Sequence, residues 1–113
     1  MSMDLSVWSS CEIELPSALP DSSAWVSYGG EFAYEQEEWQ VLVLLGEDEE
    51  PDESILQMLS KAKYAYYVTL EPIGSSSEAY LFLEKVTRTL AKVCDGVWVD
   101  SNNQAYFHDN GNI

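Results

Sequence analysis

Residues 39–46 read W-Q-V-L-V-L-L-G, and this stretch decides the fold. Its apolar run from Val41 to Leu45 predicts a strand whose side chains are apolar on both faces, as in a central strand that is covered on each side. Gly46 ends the run. We therefore expect a sheet built around this strand, with the other elements beside it and over it.

The segment before this strand predicts further β structure. Leu5 and Val7, and later Ile13 and Leu15, alternate with polar residues, which is the pattern of half-buried strands. Prolines and polar residues then mark a loop. Residues 25–36 carry aromatic and apolar side chains on both sides of a glycine pair, which predicts a β-hairpin with the glycines in its turn.

The segment after the strand predicts a helix, a strand and a longer helix. The apolar residues at positions 55, 58, 59 and 62 have helical spacing and would form one buried stripe. Residues 64–70 are rich in Tyr and Val, which favours a second strong strand. Ser75 and Glu78 match a capping box at the start of the longer helix.

The longer helix has a continuous apolar face and a marked end. Its expected core residues are Ala79, Phe82, Leu83, Val86, Leu90 and Val93. Glu84 and Arg88 are spaced for an ion pair on its surface, and Gly96 is placed just beyond its C-terminus. Two apolar triplets, 97–99 and 105–107, flank a polar turn and predict a terminal hairpin.

This order of elements predicts one acidic α+β domain spanning residues 1–113, in which a single mixed or antiparallel sheet carries two packed helices. A chain of this length that is 46% apolar and 12% aromatic can bury a core. Residues 108–113 are expected to form a frayed polar tail.

The charge of the chain is strongly acidic and unevenly distributed. Its formal net charge is −15, from 5 cations and 20 acids. Residues 1–60 contain fourteen acids and no cation, whereas residues 61–113 contain six acids and all five cations. Such a field repels nucleic acid and acidic membrane surfaces and attracts basic proteins. We therefore expect a basic protein partner, with no direct nucleic-acid or membrane binding; solubility is the simpler role of the same charge.

Cysteine usage and hydropathy favour a cytoplasmic protein. The N-terminus lacks the basic and apolar regions of a secretory signal, and the longest apolar runs are too short to span a bilayer. Cys11 and Cys94 are far apart in the sequence and are expected to stay reduced.

The sequence gives little support for metal, cofactor or catalytic chemistry. The acids of residues 47–53 lack the alternating ligands and internal glycine of a calcium loop, and the turn at residues 100–104 fails the same comparison. His108 is the single histidine, so zinc would need Cys or acid ligands at unsupported spacings. A Cys94–His108 nucleophilic pair stays open as an alternative, as does a carboxylate pair for glycoside hydrolysis. We expect no metal, no cofactor and no catalytic residue.

Two acidic segments are the candidate binding surface. Residues 28–39 combine acids with aromatic side chains, the anatomy of an interface with aromatic anchors and a charged rim. Residues 47–53 carry six acids in seven positions before a helix. The predicted partner-binding residues are Tyr28, Glu31, Phe32, Tyr34, Glu35, Glu37, Glu38, Trp39, Glu47, Asp48, Glu49, Glu50, Asp52 and Glu53. The alternatives are an edge strand protected by charge and a solvated helix entrance.

The C-terminal part resembles the immunity proteins of bacterial toxin–immunity systems. A long helix over residues 78–94 leads into Asp95-Gly96-Val97-Trp98-Val99-Asp100 and a short final strand, and this is similar to the D-G-V-x-x-D endings of several such families. The resemblance implies a non-enzymatic inhibitor of a cognate toxin. It transfers no functional residues, because those families differ in fold and binding mode.

Three functional hypotheses follow from these observations. The first is an immunity protein that covers the active site of a basic toxin of the nuclease type, with its acids in competition with phosphate. The second is an inhibitor that imitates DNA against restriction or CRISPR machinery and would bind many DNA-binding proteins. The third is a small enzyme that uses Cys94 or the carboxylates.

Overall fold

The computed structural model describes residues 3–46, 50–72 and 74–107. Their strands are β1 (Met3–Ser9), β2 (Val26–Tyr28), β3 (Glu31–Glu35), β4 (Gln40–Leu45), β5 (Tyr64–Glu71), β6 (Val97–Val99) and β7 (Ala105–Phe107). Their helices are α1 (Glu53–Met58) and α2 (Ser77–Val93), with a short 3₁₀ helix at Ser22–Ala24. The tail predicted at residues 108–113 lies outside the described residues. None of the described helices combines the length and the apolar character needed to cross a membrane.

The seven described strands form one sheet in the order β2-β3-β4-β5-β1-β6-β7, and every neighbouring pair is antiparallel. The predicted α+β class is therefore confirmed, with the sheet antiparallel. The predicted hairpin joins β2 to β3 through Gly29 and Gly30, whose φ angles of 56° and 106° suit glycine. β1 lies between β5 and β6, so the first strand of the chain is near the middle of the sheet.

α2 covers one face of the sheet by packing against β1, β5 and β6. Its buried residues are Ala79, Leu83, Val86, Thr87, Leu90 and Ala91. The predicted capping box at Ser75 is wrong by one residue, because Ser76 is the N-cap and accepts a hydrogen bond from the Ala79 amide. The Ser75 hydroxyl instead donates to the Pro72 carbonyl at 2.6 Å.

The end of α2 is a tight turn against β1. Asp95 has a left-handed φ of 54°, and the Gly96 amide donates to the Ala91 carbonyl at 2.8 Å, which closes the helix in a Schellman-type motif. A β-carbon on Gly96 would clash with the Trp8 carbonyl oxygen, so the close approach of β1 requires glycine. Val93, expected in the apolar face, lies in the last turn and is 58% exposed.

The segment between β1 and β2 adds to the same core without forming a strand. The predicted strand at Ile13 and Leu15 is wrong: these residues lie among turns, and two nearby prolines lack the amide donors that a strand needs. The Ile13 amide instead donates to the buried Tyr66 hydroxyl at 2.7 Å. The apolar side chains that this segment buries are Ile13, Leu19 and Trp25.

α1 covers part of the opposite face of the sheet. Ile55 is buried against three strands near the centre of the sheet, at Trp8, Ala65 and Val97. The helix ends at Met58, so it is shorter than the predicted apolar stripe. The other stripe residues that pack against this cluster are Met58, Leu59 and Ala62.

β4 is an interior strand, as predicted, but it is well covered on one face alone. Val41 and Val43 are fully buried on the α2 side. Leu42 and Leu44 point to the other side, are half-buried and belong to neither buried cluster. Among the described residues, the predicted cover on both faces is found on the α2 side alone, because α1 is six residues long and packs with β1, β5, β6 and β7 instead.

The terminal hairpin is organised by the carboxylate of Asp100. It accepts hydrogen bonds from the amides of Asn102 and Gln104 and from the Tyr106 hydroxyl, each at 2.9 Å. Desolvation acts to raise the pKa of Asp100, but these hydrogen bonds outweigh it and hold the pKa below its ordinary value. The acid of this Asx-rich turn therefore bonds within the hairpin itself.

Replacing Gly96 with alanine (G96A) should lower the free energy of unfolding by about 1–3 kcal/mol, because the added methyl group overpacks the contact with β1. Urea unfolding followed by tryptophan fluorescence measures the change. Lys92→Ala, at an exposed position in the last turn of α2, is the matched control and should change stability by about 0.5 kcal/mol or less. Equal stability of G96A and the unaltered protein would contradict the close approach.

Asp100→Ala should lower the free energy of unfolding by about 1–2 kcal/mol at neutral pH, because three hydrogen bonds lose their acceptor. Since the folded-state pKa of Asp100 is lowered, its contribution is complete above the ordinary Asp pKa of about 3.9 and is lost as the pH falls through the folded-state value. The stability difference should therefore narrow below about pH 4. Asp100→Asn keeps an acceptor for both amides, so its free energy of unfolding should lie between those of the unaltered protein and of Asp100→Ala. A stability difference between those two proteins that does not change with pH would argue against an ionised Asp100 in the hairpin.

Candidate functional site

In the part of the chain that the structure describes, the sheet face opposite α2 carries no buried cluster over β2, β3, β4 and the second half of β5. The strand register places its side chains in three rows that cross the strands. The first row is Tyr28, Glu31 and Leu44; the second is Val26, Ala33, Leu42, Thr69 and Asp4; the third is Glu35, Gln40 and Glu71. We call these residues the open face. All of them except Ala33 are half-buried or exposed.

The centre of the open face is apolar. Val26 and Tyr28 are 43% and 54% exposed. Leu42 and Leu44 continue the apolar surface onto β4, and none of these four side chains belongs to a buried cluster of the described residues. Apolar side chains that adjoin one another across three strands form a patch, and patches of this kind mark interaction sites more often than isolated surface apolar residues do.

Carboxylates surround this apolar centre. They are Asp4, Glu31, Glu35 and Glu71. The Tyr28 hydroxyl donates to Glu35 at 3.2 Å, and the Thr69 hydroxyl donates to Asp4 at 2.7 Å. The hydrogen bond to Glu35, together with the negative charge of that group, raises the pKa of Tyr28, so its phenol stays neutral at physiological pH. The rim of the open face therefore consists of anionic acceptors, two of which are oriented by neighbouring hydroxyl groups.

None of the five cations of the chain belongs to the open face. They are Lys61, Lys63, Lys85, Arg88 and Lys92. The last three belong to α2, on the other side of the sheet, where Arg88 pairs with Glu84 at 2.8 Å. Lys63 precedes β5 and Glu71 ends it, which separates them by about 26 Å. That distance exceeds the physiological Debye length of about 8 Å, so Lys63 does not neutralise the carboxylate of Glu71.

The acids predicted along residues 31–38 lie on or beside the open face. Glu31 and Glu35 belong to it, whereas Glu37 and Glu38 are exposed in the turn between β3 and β4. β3 pairs with β4 along its whole length but with β2 only over residues 31–33, so the alternative of an edge strand protected by charge stays open at Glu35.

Three of the predicted aromatic anchors lie on the α2 side of the sheet. Phe32 and Tyr34 alternate with the acids along β3 and therefore point the other way, into the core. The ring of Tyr34 lies between those of Phe82, at a centroid distance of 4.3 Å, and Trp39, at 6.1 Å. Phe32 and Tyr34 thus stabilise the packing against the sheet, and Tyr28 is the predicted aromatic residue that the open face presents.

The second predicted acidic segment is described in part. Glu50 is exposed, Asp52 is the N-cap of α1, and Glu53 lies in its first turn. Hydrogen bonds from the Ser54 hydroxyl and the Ile55 amide lower the pKa of Asp52. The predicted residues outside the described part are Glu47, Asp48 and Glu49. Because α1 packs on the same side of the sheet as the open face, the described acids of this segment extend its negative charge.

A cleft opens at the third row of the open face. It has a volume of about 370 Å³. Its lining residues are Glu35, Gln36, Trp39, Gln40, Glu71 and Pro72. The cleft therefore lies at the end of the sheet where β3 and β5 end and β4 begins.

The thiol considered as a nucleophile lies at the end of α2, away from the open face. Cys94 is half-buried, and its Sγ donates to the Ala91 carbonyl at 3.6 Å. Burial raises the pKa of the Cys94 thiol, which lowers the population of the reactive thiolate. His108, the partner considered for it, lies outside the described residues. Within residues 3–46, 50–72 and 74–107, no three His, Cys, Asp or Glu side chains are grouped to hold a metal ion.

Part of the open face was missed by sequence reasoning. Leu42 and Leu44 were assigned to a doubly covered strand, and Asp4, Thr69 and Glu71 were not considered. These residues meet through the pairing of β5 with β1 and β4, which joins Asp4 to a residue 65 positions away. The alternation of Thr69 and Glu71 with buried apolar residues along β5 was the pattern that could have indicated a face turned to water.

Comparisons with family models, with curated proteins and with solved structures find no match to this chain. The open face is therefore interpreted from its own chemistry. It offers apolar contact area at its centre and anionic acceptors at its rim. A surface of this kind can hold a partner that is apolar at the centre of its own contact area and cationic around it.

Proposed function

We propose that this protein is a non-enzymatic inhibitor that binds a basic partner protein through the open face. In this proposal it is a cytoplasmic immunity protein, and the partner is a cognate toxin of the nuclease type. The observation that carries the proposal is the rim of four carboxylates around an exposed apolar centre on the same sheet face. Such a surface complements Lys and Arg side chains placed around an apolar contact.

Electrostatic attraction would bring the partner to this face. The chain has a net charge of −15, and its cations lie on α2 and before β5. An asymmetric field of this strength raises association rates by roughly 10- to 1,000-fold and favours encounters in which the basic surface meets the acidic one. The placement of the cations would therefore affect the orientation in which the partner approaches as well as its association rate.

The apolar centre would supply most of the contact energy. Tyr28 is 54% exposed, and its hydroxyl is already held by Glu35, so little side-chain freedom is lost when a partner covers it. Complete burial of a Leu or Val side chain is worth about 1.5–3 kcal/mol relative to exposure. Leu42, Leu44 and Val26 are partly exposed, and each would gain a fraction of that amount.

The apolar centre also favours a dedicated protein partner over mimicry of DNA. A DNA mimic needs an array of negative charges, whereas an apolar centre contributes only where the partner has a complementary apolar surface. A nuclease-type toxin has Lys and Arg side chains that hold phosphate groups, and the carboxylates of the open face could compete for those side chains. The D-G-V-x-x-D ending after α2 is the resemblance that supports an immunity protein in particular.

Charge reversal at two rim positions tests the proposal. Asp4→Lys with Glu31→Lys should slow association with the partner by about tenfold or more at low salt, because the reversed charges repel its basic surface. Glu12→Lys with Glu14→Lys is the matched control: the net charge changes equally, at exposed positions in the segment between β1 and β2. The partner is captured with the tagged protein from a lysate of the organism that encodes it, and association rates are then measured by stopped flow at low and high salt.

The proposal would be supported by one basic protein that the unaltered chain and the control retain and that the Asp4/Glu31 variant loses. Co-expression of the unaltered chain should also relieve the toxicity of that protein. Equal association rates for the two double variants would show that the open face is not the contact surface. Capture of many DNA-binding proteins that duplex DNA displaces would contradict a dedicated partner and favour the DNA mimic. Circular dichroism confirms that each variant is folded before its rates are compared.

A further inference from the structure

A buried hydroxyl group, that of Ser9, lies between the two cysteines of the chain. The register of β1 with β6 continues so that Ser9 is opposite Gly96, directly after the end of α2. Ser9 is fully buried and alternates along β1 with Trp8, which packs on the α1 side, so the Ser9 side chain points to the α2 side. Its hydroxyl is therefore between the segment that carries Cys11 and the C-terminus of α2, which carries Cys94.

The Ser9 hydroxyl anchors Cys11 beside the end of β1. The Cys11 amide donates to this hydroxyl at 3.1 Å, and the hydroxyl donates to the Cys11 carbonyl. The Cys11 Sγ lies 3.8 Å from the same oxygen atom. Cys11 is nevertheless exposed, so a dissolved reagent can reach its thiol although its main chain is held against β1.

The Cys94 sulfur reaches the same place from the end of α2. The Cys94 Sγ and the Trp8 carbonyl oxygen both lie within 3 Å of the position that a β-carbon on Gly96 would take, so these two atoms are less than about 6 Å apart. Burial raises the pKa of the Cys94 thiol, a hydrogen bond with the Ser9 hydroxyl acts to lower that pKa, and the negative charge of a Cys11 thiolate acts to raise it. Both sulfurs are thus neighbours of one hydroxyl.

The two sulfurs are close enough to bond after side-chain rotation. Since both contact the Ser9 oxygen, they are at most two contact lengths apart, or roughly 8 Å. Rotation about χ1 moves a cysteine sulfur by about 3 Å from one staggered position to the next. A rotation at each cysteine can therefore bring the sulfurs to the bonding distance of about 2 Å.

We propose that Cys11 and Cys94 form a reversible disulfide bond, with glutathione disulfide as the oxidant. The exposed thiol, Cys11, attacks one sulfur of the oxidant as the thiolate, forms a mixed disulfide and releases one glutathione thiolate. The Cys94 thiolate then attacks the Cys11 sulfur, forms the internal disulfide and releases the second glutathione thiolate. Two electrons pass to glutathione, and the protons of the two protein thiols end on the two glutathione thiols.

The disulfide would fasten the segment between β1 and β2 to the C-terminus of α2. This segment buries Ile13, Leu19 and Trp25 in the core without a strand of its own. A bond that joins its start to the end of α2 restricts the unfolded chain and so stabilises the folded protein. The oxidised form would therefore hold its core cover more firmly than the reduced form. The bond is on the α2 side of the sheet and is independent of what the open face binds.

The experiment equilibrates the full-length protein, without oxygen, in mixtures of reduced and oxidised glutathione. Acid quenching, alkylation of the remaining thiols and intact-mass spectrometry measure the fraction with an internal disulfide, and proteolysis identifies the joined peptides. The same equilibrium is measured for the chain unfolded in concentrated urea. We expect the formation constant of the Cys11–Cys94 disulfide to be about 100-fold larger in the folded protein, because the fold holds the two thiols together.

A matched control moves one thiol along the same segment. Cys11→Ser with Ser17→Cys keeps two cysteines and places the first at another exposed position. Its formation constant in the folded state should be at least about tenfold below that of the unaltered protein. Cys94→Ser should stop at the mixed disulfide with glutathione. On oxidation, the thermal midpoint should rise by about 10 °C for the unaltered protein and stay in place for Cys94→Ser.

Equal formation constants in the folded protein and in the unfolded chain would overturn the proposal, since the fold would then contribute nothing to the bond. Mixed disulfides at both cysteines without an internal bond, or a bond between two molecules instead, would do so as well. Circular dichroism confirms that each variant is folded. None of these results affects the test of the proposed function, because Asp4 and Glu31 lie on the opposite side of the sheet.

Discussion

The seven antiparallel strands of the described residues, spaced about 4.8 Å apart, make a sheet about 29 Å wide, whereas one helix covers about 10 Å of that width. On one face, α2 is joined by the segment between β1 and β2, which places Ile13, Leu19 and Trp25 beside the helix and extends the cover. On the other face, the described residues provide α1 and the turn after it, and a helix of six residues is about 9 Å long. The core is therefore closed on both sides around β1, β5 and β6 and on one side over β2, β3 and β4. The open face and the cleft at its end both depend on this shortage of cover.

The acids on the open face bear on both explanations of the negative charge that the sequence leaves open, namely solubility and attraction of a basic partner. A sheet face with exposed apolar side chains favours association between copies of the same protein, which the rim of carboxylates opposes by placing like charges opposite one another. The same rim attracts a surface of opposite charge. One arrangement can therefore serve solubility and also the proposed choice of partner, because the apolar area stays accessible to a cationic surface and is protected from copies of the same protein.

The sequence predicted those parts of the fold that local patterns specify. The runs that became β4 and β5, the glycine hairpin, the terminal hairpin and, apart from Val93, the apolar face of α2 were placed correctly. The strand expected at Ile13 failed because a hydrogen bond to Tyr66, fifty-three residues away, replaces strand pairing there. For the site, alternation along β3 separates the acids from Phe32 and Tyr34, but which of the two sets meets solvent depends on where α2 packs. That position, like the meeting of Asp4 with Thr69, is set by long-range pairing that no short window of sequence contains.

The position of β1 near the middle of the sheet has a consequence for the nascent chain. β1 is synthesised first, but its two neighbours begin at Tyr64 and Val97. The β2–β3–β4 meander is made of consecutive strands and can pair as it leaves the ribosome, whereas β1 must wait with its backbone donors and acceptors unpaired. At about 5–20 residues per second, the delay before β6 emerges is on the order of ten seconds. Vectorial synthesis thus leaves β1 waiting longer than any other strand of the sheet between its own synthesis and that of its second neighbour. During that interval its unpaired backbone is most in need of protection from intermolecular strand pairing.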